Sequence, residues 1–489
     1  MNDTRAVAEK IFYAGIVILW VVTMSLLLSK HYGPHKNIGR TVQSGSVPDS
    51  LCGEQWMGVY YRNDRIGYSR RNFKKREGGY KMSETTKMNI NVFGAKKQMG
   101  MITNAYLDRD LKLDSFDLSF DSGVSMHVSG RMEGKNLHLS FDIGERRTEE
   151  VLPLDDVPSL NFSWEPGIFR EGLKTGRKFS LAIFDPLSLS RGEMFLEVRD
   201  KERVPSMGGT YEAFKIRATL KGVDFHVWIT EKGEVIKEES PMGFTLIREK
   251  KEDALRTGSP SADIVEEVSV PCNIELPDDT RYLKVRLSGV DYAGLEIDGG
   301  RQNLRGDILE VRRENLDPKA ATRSVTQNMN IPGEYLENTM LVQSKDPRIV
   351  SLSKEIAGDV RDKAAIAKRI YEWVYKSIEK MPSLTVPAAT EVLRTKKGDC
   401  NEHTTLFTAL SRAAGIPTRM ALGLTYKERR FYYHAWPEIF VGQWIAVDPT
   451  LGQFPADAAR IRLITGDIDR QMRLLPVIGK IKIEALEYR

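Results

Sequence analysis

The chain has 489 residues, 41% hydrophobic and 28% charged, which is enough apolar material for about three domains, each with its own core. Its 72 basic and 67 acidic side chains leave a formal charge of +5, with no basic stripe interleaved with aromatics, and this argues against nucleic acid as a partner. The three cysteines, Cys52, Cys272 and Cys400, form no CxxC pair, and His403 three residues past Cys400 lacks the two further ligands a metal needs, so no metal or cofactor is indicated.

Taken in chain order, residues 11–28 carry no charge, and a helix of that length covers most of a bilayer core of about 30 Å. The segment reads as a single-pass membrane anchor. A cleaved signal peptide is the rival, but the apolar run is long and Leu28-Ser29-Lys30-His31-Tyr32 follows where small residues would mark a cleavage site. Arg5 and Lys10 before it, and Lys30, Lys36 and Arg40 after it, do not decide orientation. A large body behind a short tail is expected to translocate, which places it outside the cytoplasm, as in a periplasm.

From Trp56 to about Arg248, apolar and polar residues alternate at period two through 81–92, 98–107, 113–120, 124–132 and 137–143, with Gly, Asn and Asp at the turns. This predicts a large antiparallel sheet with one wet face. Pro153, Pro158 and Pro166 interrupt the pattern before strands resume at Lys178, as in a connection between sub-sheets. Residues 249–263 are charged and apolar-poor, as a linker is. A smaller β-rich unit follows, its clearest strands at 282–287 and 308–311.

After Pro347 the period changes. Ile366, Ile370, Trp373, Val374 and Ile378 line one helical face, and 388–393 make another short helix. Residues 400–414 form a third, stopped by Gly415-Ile416-Pro417, and strands follow at 420–426, 432–441 and 443–447. The resulting organisation is a tail and anchor over 1–36, an antiparallel β-rich domain over 50–250, a small β-rich domain over 264–335 and an α+β domain over 340–489.

The chemistry gathers in the last of these. Asp399 is a good N-cap, so Cys400 falls in the first turn, where orphan N–H groups and the helix dipole favour an anion and the thiol is expected to ionise easily. The strands after this helix bring His434 and then Asp448. Two adjacent antiparallel strands can present a base and its orienting carboxylate to one helix end. Cys400 would attack an acyl carbon, His434 would move the proton, Asp448 would hold the imidazole and the Cys400 N–H would face the oxyanion. Each residue also has a plain structural role, as a small buried hydrophobe, a strand packing residue and a turn former. Their order and placement favour the joint catalytic reading.

The stretches Gly398-Asp399-Cys400-Asn401-Glu402-His403, Arg412-Ala413-Ala414-Gly415-Ile416-Pro417-Thr418-Arg419, His434-Ala435-Trp436-Pro437-Glu438-Ile439 and Trp444-Ile445-Ala446-Val447-Asp448-Pro449-Thr450 resemble the transglutaminase-like superfamily, in particular its bacterial envelope members, over roughly residues 345–489. The resemblance implies a papain-like α+β core with the nucleophile helix packed on an antiparallel sheet. It maps the nucleophile onto Cys400, the histidine onto His434 and the acid onto Asp448. Glu402, Arg412 and Arg419 also match, and a structural salt-bridge role is the assignment for them. The region 57–248 weakly resembles the β-rich domains ahead of such cores in envelope proteins, which leaves open binding a polymer or lipid, positioning the enzyme, or contacting an envelope protein partner.

The expected fold is therefore an N-terminal transmembrane helix, antiparallel β-rich domains and a C-terminal transglutaminase-like, papain-like domain. The expected function is extracytoplasmic, cysteine-dependent acyl transfer on peptide or protein amides, ending in hydrolysis or transglutamination. The alternative is a non-catalytic envelope assembly or peptide-binding protein on the same scaffold. Cys52 and Cys272 are either paired or two unrelated buried thiols.

Overall fold

Alternation at period two has its physical outcome in one sheet of 15 strands. The computed structural model describes residues 51–489 except 93, 123–124, 144–145, 161–162, 187–189, 221–222, 241–242, 257, 259, 293, 317–332, 382–387, 467–471 and 475–476. The first half of the sheet is β1 (Gly53–Tyr61), β2 (Asp64–Arg76), β3 (Gly79–Val92), β4 (Ala95–Asp108), β5 (Leu113–Asp121), β6 (Ser125–Glu133), β7 (Asn136–Ile143) and β8 (Arg146–Pro153). The second is β9 (Ser159–Leu160), β10 (Lys178–Asp185), β11 (Ser190–Ser206), β12 (Gly209–Leu220), β13 (Val223–Thr230), β14 (Val235–Glu239) and β15 (Phe244–Glu249). Helix α1 (Glu165–Glu171) lies between β9 and β10, within the Pro-interrupted stretch.

The order runs β8 down to β1, then β15 down to β9, so the first and last long strands meet in the middle, where β1 pairs β15 from Trp56 opposite Glu249 to Tyr61 opposite Phe244. Neighbours are antiparallel except β9, which pairs β10 in parallel. The sheet curls enough for Phe116 of β5 to meet Phe184 of β10, ring centres 5.8 Å apart. Its enclosed side is not uniformly apolar. Arg71, Glu84, Thr103 and Leu118 stand opposite one another across β2 to β5, all buried.

Beyond short helices α2 (Lys251–Ala254) and α3 (Ile264–Val268), the strands are β16 (Val270–Pro271), β17 (Tyr282–Ser288), β18 (Gln302–Arg305) and β19 (Ile308–Arg312). Helices α4 (Pro347–Ala357), α5 (Lys363–Ser377), α6 (Ala389–Thr395) and α7 (Cys400–Ala413) follow, the strand pair β20 (Glu379–Lys380) and β21 (Lys397–Gly398) lying among them. The chain closes with β22 (Thr418–Lys427), β23 (Arg430–Phe440), β24 (Trp444–Ala446), β25 (Arg460–Thr465) and β26 (Lys482–Tyr488).

A five-stranded sheet orders β16, β23, β22 and β25, with β24 on β23, and a four-stranded sheet orders β18, β19, β17 and β26. Strand β17 is thus paired with the end of the chain, and Leu283, Val285 and Leu309 share one core with Leu424, Phe431, Ile461 and Ile483. Helix α7 buries Leu406, Phe407 and Leu410 with Ile366 and Ile370 of α5 and Ile439 of β23, each such side chain contributing about 1.5–3 kcal/mol. Cys52 and Cys272 are both free thiols.

The expected fold class needs one correction. Among the described residues no helix is long and apolar enough to cross a membrane, so an N-terminal transmembrane helix is not supported. Among the described residues the longest helix, α5, has 15 residues, rises about 22 Å against a bilayer core of about 30 Å, and carries lysines on its outer face. Segment 11–28, on which that expectation fell, lies outside the described residues.

Candidate active site

Helix α7 starts where β21 ends. The Asp399 side chain accepts the Asn401 N–H at 3.0 Å, and Glu402 Oε2 accepts the Asp399 N–H at 2.9 Å, closing a capping box around the first turn. A Cβ on Gly398 would lie 2.3 Å from Glu402 Cβ, so only glycine lets that capping side chain fold back. Glu402 thereby acts as a cap. Arg412 bonds the Thr418 and Glu337 carbonyls at 3.0 and 2.9 Å, and Arg419 forms the salt bridge with Glu438, at 2.8 and 2.6 Å.

Cys400 is half-buried in this first turn, and the Ala435 backbone N–H of β23 donates to its sulfur. The helix start does not make the thiol acidic. Burial first, then Asp399, with Glu402 and Asp448 behind it, push the thiol well above its usual value against the help of the Ala435 N–H. At rest Cys400 is a thiol awaiting a base.

His434 sits one residue before Ala435. His434 lies opposite Gly423 in the β22–β23 register, and a Cβ on Gly423 would meet the Ile461 carbonyl at 1.9 Å, so glycine there lets β25 close against β22 beside His434. His434 Nε2 is 2.8 Å from Asp448 Oδ2. Asp448 is fully buried, yet His434 and Arg460 more than offset the cost of burial and hold its carboxyl well below the usual carboxylate range. An ionised Asp448 only accepts, so the Nε2–H of His434 donates to it and Nδ1 is the ring nitrogen left for other partners.

Asp448 is itself held from both sides. Oδ1 accepts the N–H groups of Thr450 and Leu451 at 2.9 and 2.8 Å, and Oδ2 accepts Arg460 Nε at 2.9 Å and Nη2 at 2.8 Å. Arg460 continues to Gln453 and Asp457 at 2.5 and 2.6 Å. Sequence reasoning missed Arg460. The available signal was an arginine opening the alternating run Arg460-Ile461-Arg462-Leu463-Ile464, because a cation in a buried strand must be paired.

Two neighbours complete the setting. Trp436, two residues on from His434, stacks beside it at 6.1 Å between ring centres and is fully buried among Ala421, Ala446 and Ala456, so it supports the imidazole from within. His403 donates Nδ1–H to the Asp399 carbonyl at 2.6 Å, tying the second turn of α7 to its cap. Among the described residues no group of three or more His, Cys, Asp or Glu side chains is placed to hold a metal ion. His434 and Asp448 are therefore hydrogen-bonded to each other, and Cys400 meets their strand through the Ala435 backbone N–H.

Residues 350–449 match the profile of the Transglutaminase-like superfamily. No curated protein matches the chain. Among solved structures, one similar chain is a Cytophaga hutchinsonii protein provisionally assigned as a cysteine protease, 15% identical over 43% of this chain and 87% of its own, with a TM-score of 0.28. Another, from Parabacteroides distasonis and provisionally assigned as a protease, is 11% identical over 67% of this chain and 64% of its own, with a TM-score of 0.19. A beta-barrel-like protein from Brucella abortus is 9% identical over 40% of this chain and 94% of its own, with a TM-score of 0.31. At these scores the likenesses say nothing of the whole fold.

Proposed function

With residues 350–449 forming a transglutaminase-like domain, we propose that the chain is a cysteine acyl-transfer enzyme acting on peptide or protein amides through a thioester. The observation that carries this reading is the Asp448-oriented His434, at 2.8 Å, followed at once by the residue whose N–H meets the Cys400 sulfur.

Because the thiol is held protonated, its proton passes to His434 Nδ1 as sulfur attacks the amide carbon, and the Asp448 carboxylate stabilises the imidazolium. The Cys400 N–H, at the first position of α7, has no acceptor within the helix and can face the oxyanion. The imidazolium then protonates the departing amine as the C–N bond breaks. In the second half Nδ1 takes a proton from water or from an acceptor amine, which attacks the thioester and releases Cys400 with its proton restored from the imidazolium. Water yields hydrolysis, and an amine yields transamidation.

The test uses a peptidyl acyloxymethyl ketone on the full chain, with mass spectrometry locating the adduct. Labelling at Cys400 that falls at least about a hundredfold in His434→Ala supports the enzyme. Equal labelling in the two proteins would sink it and favour the non-catalytic scaffold. New protein termini or new isopeptide bonds in an extract treated with wild type, absent with Cys400→Ala, then identify the acceptor as water or amine.

A further inference from the structure

The enclosed side of the large sheet contains a cavity of about 280 Å³ that takes no part in the chemistry above. Half of its wall is apolar, from Val59, Met88, Met101, Leu118, Phe244 and Leu246. The other half carries Glu84, Asp185 and Glu238 around Arg71, the one basic side chain in the lining. Arg71 is spent on its neighbours. It hydrogen-bonds Glu84 through Nη2 at 3.4 Å, with Nε ion-paired to the same carboxylate at 3.2 Å, Glu238 through both terminal nitrogens and Glu165 of α1 at 3.5 Å. Thr86 donates to Ser69 at 3.0 Å, and Ser69 to Glu84 at 2.9 Å. The carboxylates outnumber the guanidinium, so the wall has a surplus of negative charge in a low-dielectric interior.

Carboxylates alone would make no site. The second observation is Thr103, which stands opposite Glu84 in the β3–β4 register, is 1% exposed, lines the cavity, and has no hydrogen-bond partner for Oγ1 in the protein. Buried hydroxyls without a partner are uncommon because each costs about 1–3 kcal/mol. Glu165 Oε2, beside Arg71, is in the same position. Arg71 Nε also lacks a hydrogen bond but already stands 3.2 Å from Glu84 Oε2, whereas the Thr103 hydroxyl can accept as well as donate, and the carboxylate surplus around it favours a positively charged donor.

We propose that this cavity binds a small organic cation, a primary ammonium on an apolar body, with the ammonium donating to Thr103 Oγ1 and the neighbouring carboxylates and the body packed against the apolar half of the wall. The cavity lies just under the roughly 300 Å³ at which drug-sized ligands begin, which selects a short amine. An anion would meet the carboxylate surplus, and a neutral alcohol would leave it unanswered.

Isothermal titration of the full chain with hexylamine, hexanol and hexanoate reads this directly. Hexylamine is expected to bind one per chain, with hexanol and hexanoate at least about tenfold weaker, as befits loss of a charge-assisted hydrogen bond. Thr103→Val, which keeps the side-chain volume, and Glu84→Gln are each expected to weaken hexylamine by about tenfold or more. Cys400→Ala should bind hexylamine as wild type does, which separates this site from an amine lodged at the thiol. No binding of hexylamine, equal binding of hexanol, or wild-type affinity in both cavity variants would overturn the proposal. If either variant fails to fold, the three-ligand comparison on wild type still decides.

Discussion

Glu165→Gln tests whether the interior of the large sheet holds a neutral carboxyl. Glu165 opens α1 at 7% exposure, and its carboxyl is pushed up to about 8 from an ordinary 4.5, chiefly by burial, with Glu238 and Glu84 adding to it against the pull of Arg71. In the unfolded chain the group loses its proton near 4.5. Between about 4.5 and about 8 the folded state therefore binds one more proton than the unfolded state, and stability falls as pH rises, by about 1.4 kcal/mol per pH unit. Below that window both states are protonated and the slope vanishes. Above it both are ionised and it vanishes again.

Gln cannot titrate, so the variant lacks this slope. Its Oε1 can keep the contact that Glu165 Oε1 makes with Arg71 at 3.5 Å, while the amide replaces Oε2, which has no partner. Any packing penalty is the same at every pH and cancels between conditions. From about pH 5 to about pH 8 the variant should gain roughly 4 kcal/mol on wild type. Urea unfolding of both proteins across that range, followed by tryptophan fluorescence with Trp164 buried next to Glu165, measures the difference. Parallel profiles would refute the neutral carboxyl and the burial argument beneath it.

The proposed catalytic assembly yields further expectations. Arg460→Ala strands the buried Asp448 charge and should cost about 3–5 kcal/mol in chemical denaturation, whereas a loss under about 1 kcal/mol would mean that Asp448 finds other compensation. Asp448→Asn should lower acyloxymethyl ketone labelling of Cys400 by about a hundredfold or more, because the imidazole loses its orienting acceptor, and a full-speed variant would remove Asp448 from the mechanism. Gly398→Ala drives a Cβ into Glu402, so loss of the cap should cost about 1 kcal/mol in thermal unfolding and slow Cys400 labelling; wild-type values in both would show that Glu402 is free to move.

The parts of this molecule legible in the sequence are those set by local physics. Asp399 as cap, Leu406 and Leu410 at helical spacing and Gly415 as a stop define α7 within one stretch of chain, and they place Cys400 at its first position. Period two defines the long strands equally well, but it cannot say what the alternate face meets. In β2 and β3 the set shared by Arg71 and Glu84 is enclosed, and in β25 all six residues are buried, so Arg460 and Arg462 read as a wet face while serving as interior ion-pair partners. Nor does a strand pattern name its partner, as β17 shows by pairing with β26 at the far end of the chain.

The thiol follows the same logic. A helix start favours an anion by about 0.3–1 kcal/mol, whereas each unit of pKa shift from burial is worth about 1.4 kcal/mol, so crowding around the sulfur and the carboxylates of Asp399 and Glu402 outweigh the dipole. In the proposed mechanism, activation of Cys400 then depends on proton transfer to His434 rather than on its place in α7. That dependence is why a single Asp448, gripped by Arg460 and two backbone N–H groups, has to hold the imidazole still.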